Sequence, residues 1–235
     1  MKFSCTQMEL AKAINIVIKA VSSRTTIPIL KGILLELSGD ILTLTASDLD
    51  ISIETKMQVS GHEDGAIVVQ AKLFSEIIRK FPNALISFTK DEDNNASLTC
   101  LSSNFVITSF PAEDFPAIGS VEPIKKAKLL KEQLKNLIKR TTFASSIDEK
   151  KGILTGCLME FKKSSTVMVG LDGFRMAVIK EPSLNENECS IVVPSRILNE
   201  ISRILSENDS DEDGEVNILI DEKKAEIRRG DIRII

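Results

Sequence analysis

Apolar and polar positions along this chain follow two periods, and each change of period marks an element boundary. Over residues 7–20, Leu10, Ile14, Val17 and Ile18, with Val21 beyond, recur at helical spacing and give a helix one apolar face. A short strand, Lys2 to Cys5, precedes it, and three alternating stretches near 29–37, 41–46 and 50–57 follow. The order then repeats: a strand at Ala66 to Gln70, a helix at Lys72 to Lys80, and strands near 84–89, 96–101 and 104–109. Pro82 stops that second helix, because proline has no N–H to continue the ladder. Eight strands and two helices are therefore expected, with each helix laying its stripe on one face of an antiparallel sheet. The class is α+β.

The whole pattern occurs twice. Ile29, Leu30, Gly32, Leu34 and Glu36 return as Ile153, Leu154, Gly156, Leu158 and Glu160, an offset of 124 residues. The same offset carries Ile67, Val68, Val69, Glu76, Ile77 and Arg79 onto Ile191, Val192, Val193, Glu200, Ile201 and Arg203. It also aligns Leu10 with Leu134, Ser22 with Ser146 and Asp48 with Asp172. A unit of this length is far beyond the 20 to 50 residues of solenoid repeats and can close its own core. Two tandem domains are expected, 1–120 and 121–235, joined by the three-proline stretch Phe110 to Lys126. The last strands of the second copy fall at 215–220, 224–228 and 231–235. The copy stops short of the segment that closes its twin, so the chain is expected to be part of a longer one.

Composition narrows the class without naming a chemistry. The 235 residues are 43% hydrophobic with net charge −4, and no apolar run reaches the length of a membrane span. The start, MKFSCTQMELAKAIN, runs into an amphipathic pattern with no signal-peptide stretch, so a cytoplasmic location is expected. Cys5, Cys100, Cys157 and Cys189 are scattered, and His62 is the single histidine. Buried reduced thiols are expected, with no disulfide, no metal and no cofactor.

Charge is distributed by element. The helical segments 7–20, 71–80, 129–142 and 195–205 hold eleven Lys and Arg against four Glu, a net +7 in a chain of −4. Lys12 and Lys19 are seven residues apart, as are Lys72 and Arg79, and Arg196 and Arg203, so each pair shares one side of its helix, away from the core. Solvated surface cations explain any one helix. Four basic helices on an acidic protein suit a polyanion such as a nucleic acid backbone. With no tryptophan, tyrosine or recognition motif, contact with phosphates rather than bases is expected.

Catalytic sets are missing. Asp48 and Asp172 occupy equivalent turns in different copies, where turn formation explains them better than paired acid–base work. No Gly-rich phosphate loop and no Ser/His/Asp arrangement is present. A binding protein without intrinsic activity leads. A two-domain protein-interaction hub that does not hold DNA is the alternative, and a carboxylate-dependent nuclease or polymerase component is third.

Five strings in order carry a resemblance: the opening MKF, Arg24 to Glu36 (RTTIPILKGILLE), Ser47-Asp48-Leu49, Phe110 to Pro116 (FPAEDFP) and Leu171 to Val178 (LDGFRMAV). Together they resemble the bacterial sliding clamp, the beta subunit of DNA polymerase III, across the whole chain. The resemblance implies three similar domains per subunit, of which this chain holds two. It further implies two subunits head to tail as a homodimer, with helices lining a hole around double-stranded DNA and sheets outside. Such a clamp is a processivity factor, an accessory subunit of the polymerase holoenzyme. Its implied partners are the polymerase III catalytic subunit, the clamp loader, other polymerases and repair proteins. A eukaryotic or archaeal clamp of two domains suits the length but not these strings.

Residue by residue, Arg24 and Arg196 match basic positions that contact DNA in the family, with Lys72 the first-copy counterpart of Arg196; Arg79 and Arg203 extend the same faces. Leu154, Leu171, Gly173, Phe174, Arg175 and Met176 match the family's pocket for a short hydrophobic peptide. Read without the resemblance, Leu154 and Met176 would be core. Phe174 stands where a histidine is common and Met176 where a leucine is, and half of that pocket comes from the family's third domain. The strand Asn104 to Ser109, with Phe105 and Ile107, matches the first-domain side of the subunit interface. Without the third domain, the chain by itself is expected to be a monomer or weak dimer.

Overall fold

The computed structural model describes residues 1–22, 25–207, 214–222 and 224–235. They divide into two compact units, Met1–Gly119 with Asp231–Ile234, and Ser120–Gly230 with Ile235. Each combines antiparallel ladders with two α-helices, the expected α+β class.

In the first unit β1 (Lys2–Thr6) leads directly into α1 (Gln7–Val17), whose N-terminus is capped by the Thr6 hydroxyl accepting the Glu9 N–H at 3.3 Å. Strands β2 (Gly32–Ser38), β3 (Ile41–Ser47) and β4 (Ser52–Gln58) follow, then β5 (Ser60–Glu63), β6 (Gly65–Gln70) and α2 (Ala71–Lys80). β7 (Leu85–Lys90), β8 (Asn95–Cys100) and β9 (Ser103–Phe110) complete the copy. Leu10, Ala13, Ile14, Ile16 and Val17 of α1 are buried, and the helix packs on β3, β4 and α2. Phe74 of α2 meets Phe88 edge-on, and Phe3 stacks on Phe88 with centroids 4.9 Å apart. β9 pairs along its length with β8, and only its end, Ser109 and Phe110, reaches β6.

The second unit repeats the plan with β10 (Lys125–Leu130), α3 (Lys131–Thr141), β11 (Gly156–Lys162), β12 (Ser165–Leu171), β13 (Met176–Pro182) and β14 (Cys189–Pro194). α4 (Ser195–Glu207), β15 (Glu215–Ile220) and β16 (Ala225–Arg229) follow. Its four-stranded sheet runs β13-β12-β11-β14, with α3 packed on β12 and β13. β17 (Ile232–Ile234) counts with the first unit, where Ile232 lies opposite Thr55 of β4.

Three local expectations change. Ile29 to Lys31 are not strand but a tight 3-10 turn, Pro28–Lys31, because the fixed φ of Pro28 suits a first helical position. β5 was not foreseen; its sequence, Ser-Gly-His-Glu, has no apolar alternation, and it forms by pairing with β1. Of the four cysteines Cys5, Cys100 and Cys157 are buried, whereas Cys189 is only half-buried. No helix among the described residues is long and apolar enough to cross a membrane.

Candidate binding surfaces for a peptide and for nucleic acid

One end of the second unit's sheet collects most of the expected pocket. β11 starts there at Gly156, just after Leu154, while Leu171 ends β12 and pairs with Met176 at the start of β13. The turn between them is held by Asp172. Its Oδ1 accepts the N–H groups of Phe174 (2.9 Å) and Arg175 (3.0 Å), and its Oδ2 accepts Arg175 Nε at 2.9 Å. These backbone N–H bonds, with the arginine beside them, hold the Asp172 carboxyl below its ordinary value. Gly173 takes φ +95, the left-handed side that the turn requires and that glycine adopts without strain.

The consequence is an outward-facing apolar group. Phe174 is 92% exposed and Met176 67%, so Met176 is not core, while Leu154 and Leu171 are half-buried. The segment after α3 borders the same turn. Lys151 Nζ donates to the Asp172 carbonyl at 2.9 Å and stands 5.1 Å from the Phe174 ring centre. Arg175 lies over Phe143, 6.0 Å from its centre. Phe143, Ile147 and Ile153 on this segment are themselves exposed, and the Ser146 N–H bonds the Leu154 carbonyl at 2.8 Å, fixing the loop's base. Residue-type reasoning missed Phe143, Ile147, Lys151 and Ile153 as members of this group. A signal was available: in the first copy Lys19, Ser23 and Ile27 stand at the positions of Phe143, Ile147 and Lys151.

The first copy builds the same turn, but among the described residues the side chains around it are placed differently. Asp48 Oδ1 accepts from Asp50 and Ile51 at 3.0 and 2.9 Å, and Leu49 takes φ +78 at the position of Gly173. Yet Leu30 and Ile51, the counterparts of Leu154 and Arg175, are buried. Both aspartates are turn formers.

Expected cations are found on helix surfaces. Lys72 and Arg79 of α2 and Arg196 and Arg203 of α4 are exposed, opposite the buried Phe74, Ile77 and Ile78 in one helix and Leu198, Ile201 and Ile204 in the other. Arg203 is paired with Glu200 at 2.7 Å. Lys131, counted among the basic helix residues, is 1% exposed, because it opens α3 against the strands rather than on its outer side. Arg24 lies outside the described residues. On β9, Phe105 is exposed and rests edge-on against Phe81, whereas Ile107 is 4% exposed: it turns into the unit's own core and is not presented outward. Val106 is the exposed neighbour that alternation places on the other face.

Residues 1–119 match the family model described as DNA polymerase III beta subunit, N-terminal domain, and residues 128–235 match the model of its central domain. This chain belongs to the DNA polymerase III beta subunit family. The beta sliding clamp of Bacillus subtilis strain 168 is 36% identical over 222 residues, covering 88% of this chain and 58% of that protein. The beta sliding clamp of Synechocystis sp. is 31% identical over 256 residues, covering 100% of this chain and 65% of that protein. The chain thus spans about three fifths of the length of these relatives. Among solved structures, the Bacillus subtilis clamp superposes with a TM-score of 0.94 at 32% identity, covering 100% of this chain and 63% of that one. The Pseudomonas aeruginosa clamp, solved bound to griselimycin, gives 0.92 at 26% identity over the same shares.

Proposed function

We propose that this chain provides the N-terminal and central domains of a ring-shaped processivity clamp. Such a clamp encircles duplex DNA in the cytoplasm, tethers the replicative polymerase, and has no catalytic activity of its own. The observation that carries the reading is the joint presence, on one family-typical scaffold, of outward cations on duplicated helices and an exposed apolar group around the Asp172 turn of the second copy. Arg24, Lys72, Arg79, Arg196 and Arg203 are the proposed phosphate contacts. Leu154, Leu171, Gly173, Phe174, Arg175 and Met176, joined by Phe143 and Ile153, are the proposed seat of a short apolar peptide. That peptide would come from polymerase III, the clamp loader or a repair protein. Phe105, with Val106 in place of Ile107, is the proposed first-domain side of a head-to-tail homodimer contact.

Phosphate contacts hold without reading sequence, which is what a sliding protein needs. Changing Arg24, Lys72 and Arg196 together to Ala in the intact protein should weaken association with every DNA sequence alike. The slope of log K against log salt should fall by roughly 0.9 per lost phosphate contact. A triple variant that slides on circular duplex with an unaltered salt slope would overturn the assignment of these cations.

A further inference from the structure

Two cation–aromatic pairs join the Asp172 turn to the segment after α3, and they are reciprocal. The Lys151 ammonium of the segment stands 5.1 Å from the ring centre of Phe174 in the turn, and the Arg175 guanidinium of the turn stands 6.0 Å from that of Phe143 in the segment. The offset of 124 maps Lys151, Phe174, Arg175 and Phe143 onto Ile27, Asp50, Ile51 and Lys19 of the first copy. Neither pair has a ring to form on there.

The two cations differ in what balances them. Arg175 Nε donates to Asp172 Oδ2 at 2.9 Å, and Asp172 Oδ1 is taken by two backbone N–H groups, so that carboxylate is fully engaged. Lys151 makes no ion pair among the described residues; one of its three N–H groups goes to the Asp172 carbonyl at 2.9 Å, an acceptor without net charge. Lys128, Lys135, Lys162 and Arg203, by contrast, each meet a glutamate at 3.1 Å or less. The carbonyl bond fixes the Lys151 ammonium beside the ring and leaves it two donors, so little rotamer freedom is lost when a carboxylate arrives. Phe174 is almost fully exposed, and the face of its ring away from Lys151 is open to an apolar side chain. A ligand with a carboxylate and an apolar group on the same side satisfies both, and in an extended peptide residues two apart share a side.

We propose that Lys151 is the specificity-determining cation of this surface, and that the peptide seated there carries a glutamate or aspartate two residues from its aromatic side chain. The carboxylate takes the two remaining Lys151 donors while the aromatic ring packs on the open face of Phe174. This rests on the reading of the surface as a peptide seat and adds the charge that its peptide carries.

The probes are two capped peptides, acetyl-Ser-Leu-Glu-Leu-Phe-amide and the same peptide with glutamine for glutamate, titrated into the protein by calorimetry at low salt and at about 1 M salt, where charges are screened beyond about 3 Å. Capping removes the terminal charges, so the two peptides differ in one carboxylate. The expected result is that the glutamate peptide binds about two- to fivefold tighter at low salt and that the ratio approaches one at high salt. Lys151→Met, which keeps an apolar stem without the ammonium, should bring the ratio to one at low salt as well, and Lys151→Arg should keep it. A Lys151 that only supports the loop would weaken both peptides alike in the Met variant and leave their ratio as it was, which would overturn its role. Equal affinity of the parent for the two peptides would overturn the preference and leave the peptide seat standing. Binding of neither peptide to the parent would overturn the seat itself, and the inference with it.

Discussion

Gly170 is where the fold and the proposed peptide surface depend on the same atom-scale contact. It lies in β12 opposite Cys157, and a Cβ placed on it would stand 2.3 Å from the carbonyl oxygen of Thr141 and 3.1 Å from the carbonyl carbon. Thr141 is the last residue of α3, so the obstacle is backbone and cannot rotate away as a side chain would. An ordinary carbon–oxygen contact needs about 3.3 Å, so Gly170→Ala must push the helix end outward by about 1 Å. Overpacking of this kind costs about 1–3 kcal/mol. For a unit spanning Ser120–Gly230 that corresponds to about 4–12 °C in Tm. The displaced helix end continues directly into Phe143 and the Ser146–Leu154 bond, so peptide affinity should fall with stability. The repeat supplies a control. Ala46 holds the equivalent place in the first copy and is fully buried, so its methyl is accommodated there. Ala46→Gly should lower stability, by about 1–2 kcal/mol, through lost burial and added chain entropy. Because the chain has no tryptophan or tyrosine, far-UV circular dichroism and calorimetry are the suitable probes of unfolding. A Gly170→Ala protein that melts within about 1 °C of the parent and binds peptide equally well would refute the argument.

Other expectations follow from single sites. Met176→Asp places a carboxylate in the exposed apolar group without touching the core, so binding of a pentapeptide with a leucine and a terminal aromatic should vanish while Tm holds; unchanged affinity in calorimetry would remove Met176 from the surface. Gly173→Ala meets nothing within 4 Å, so its cost is that of the left-handed backbone alone, about 1–2 kcal/mol. Leu49→Gly, at φ +78, should shift Tm the opposite way. Burial, with Glu9 adding to it, pushes the Cys5 thiol up to about 12. An unfolded chain would lose that proton from its ordinary value of 9.0 onward while the folded one keeps it, so stability should decline as pH rises from 9 toward 12. Cys5→Ala should flatten that decline in denaturant titrations, and at pH 8 iodoacetamide should label half-buried Cys189 before Cys5, Cys100 or Cys157 by mass spectrometry.

The sequence by itself determined the duplication, the class and nearly every element. Those features are written as period: 2 for the strands, 3.6 for α1 to α4, and 124 for the copies, and period survives without knowledge of distant contacts. The turn at Asp172 was legible for the same reason, since Asp172 and Gly173 act on their own neighbours. Tertiary structure alone decided which side chains the periods leave outside. Met176 and Ile107 are both apolar residues in strands, yet one begins a strand at the open end of its sheet and the other folds against its own unit's core. Lys131 and Lys139 sit on one helix, and only packing against the strands buries the first.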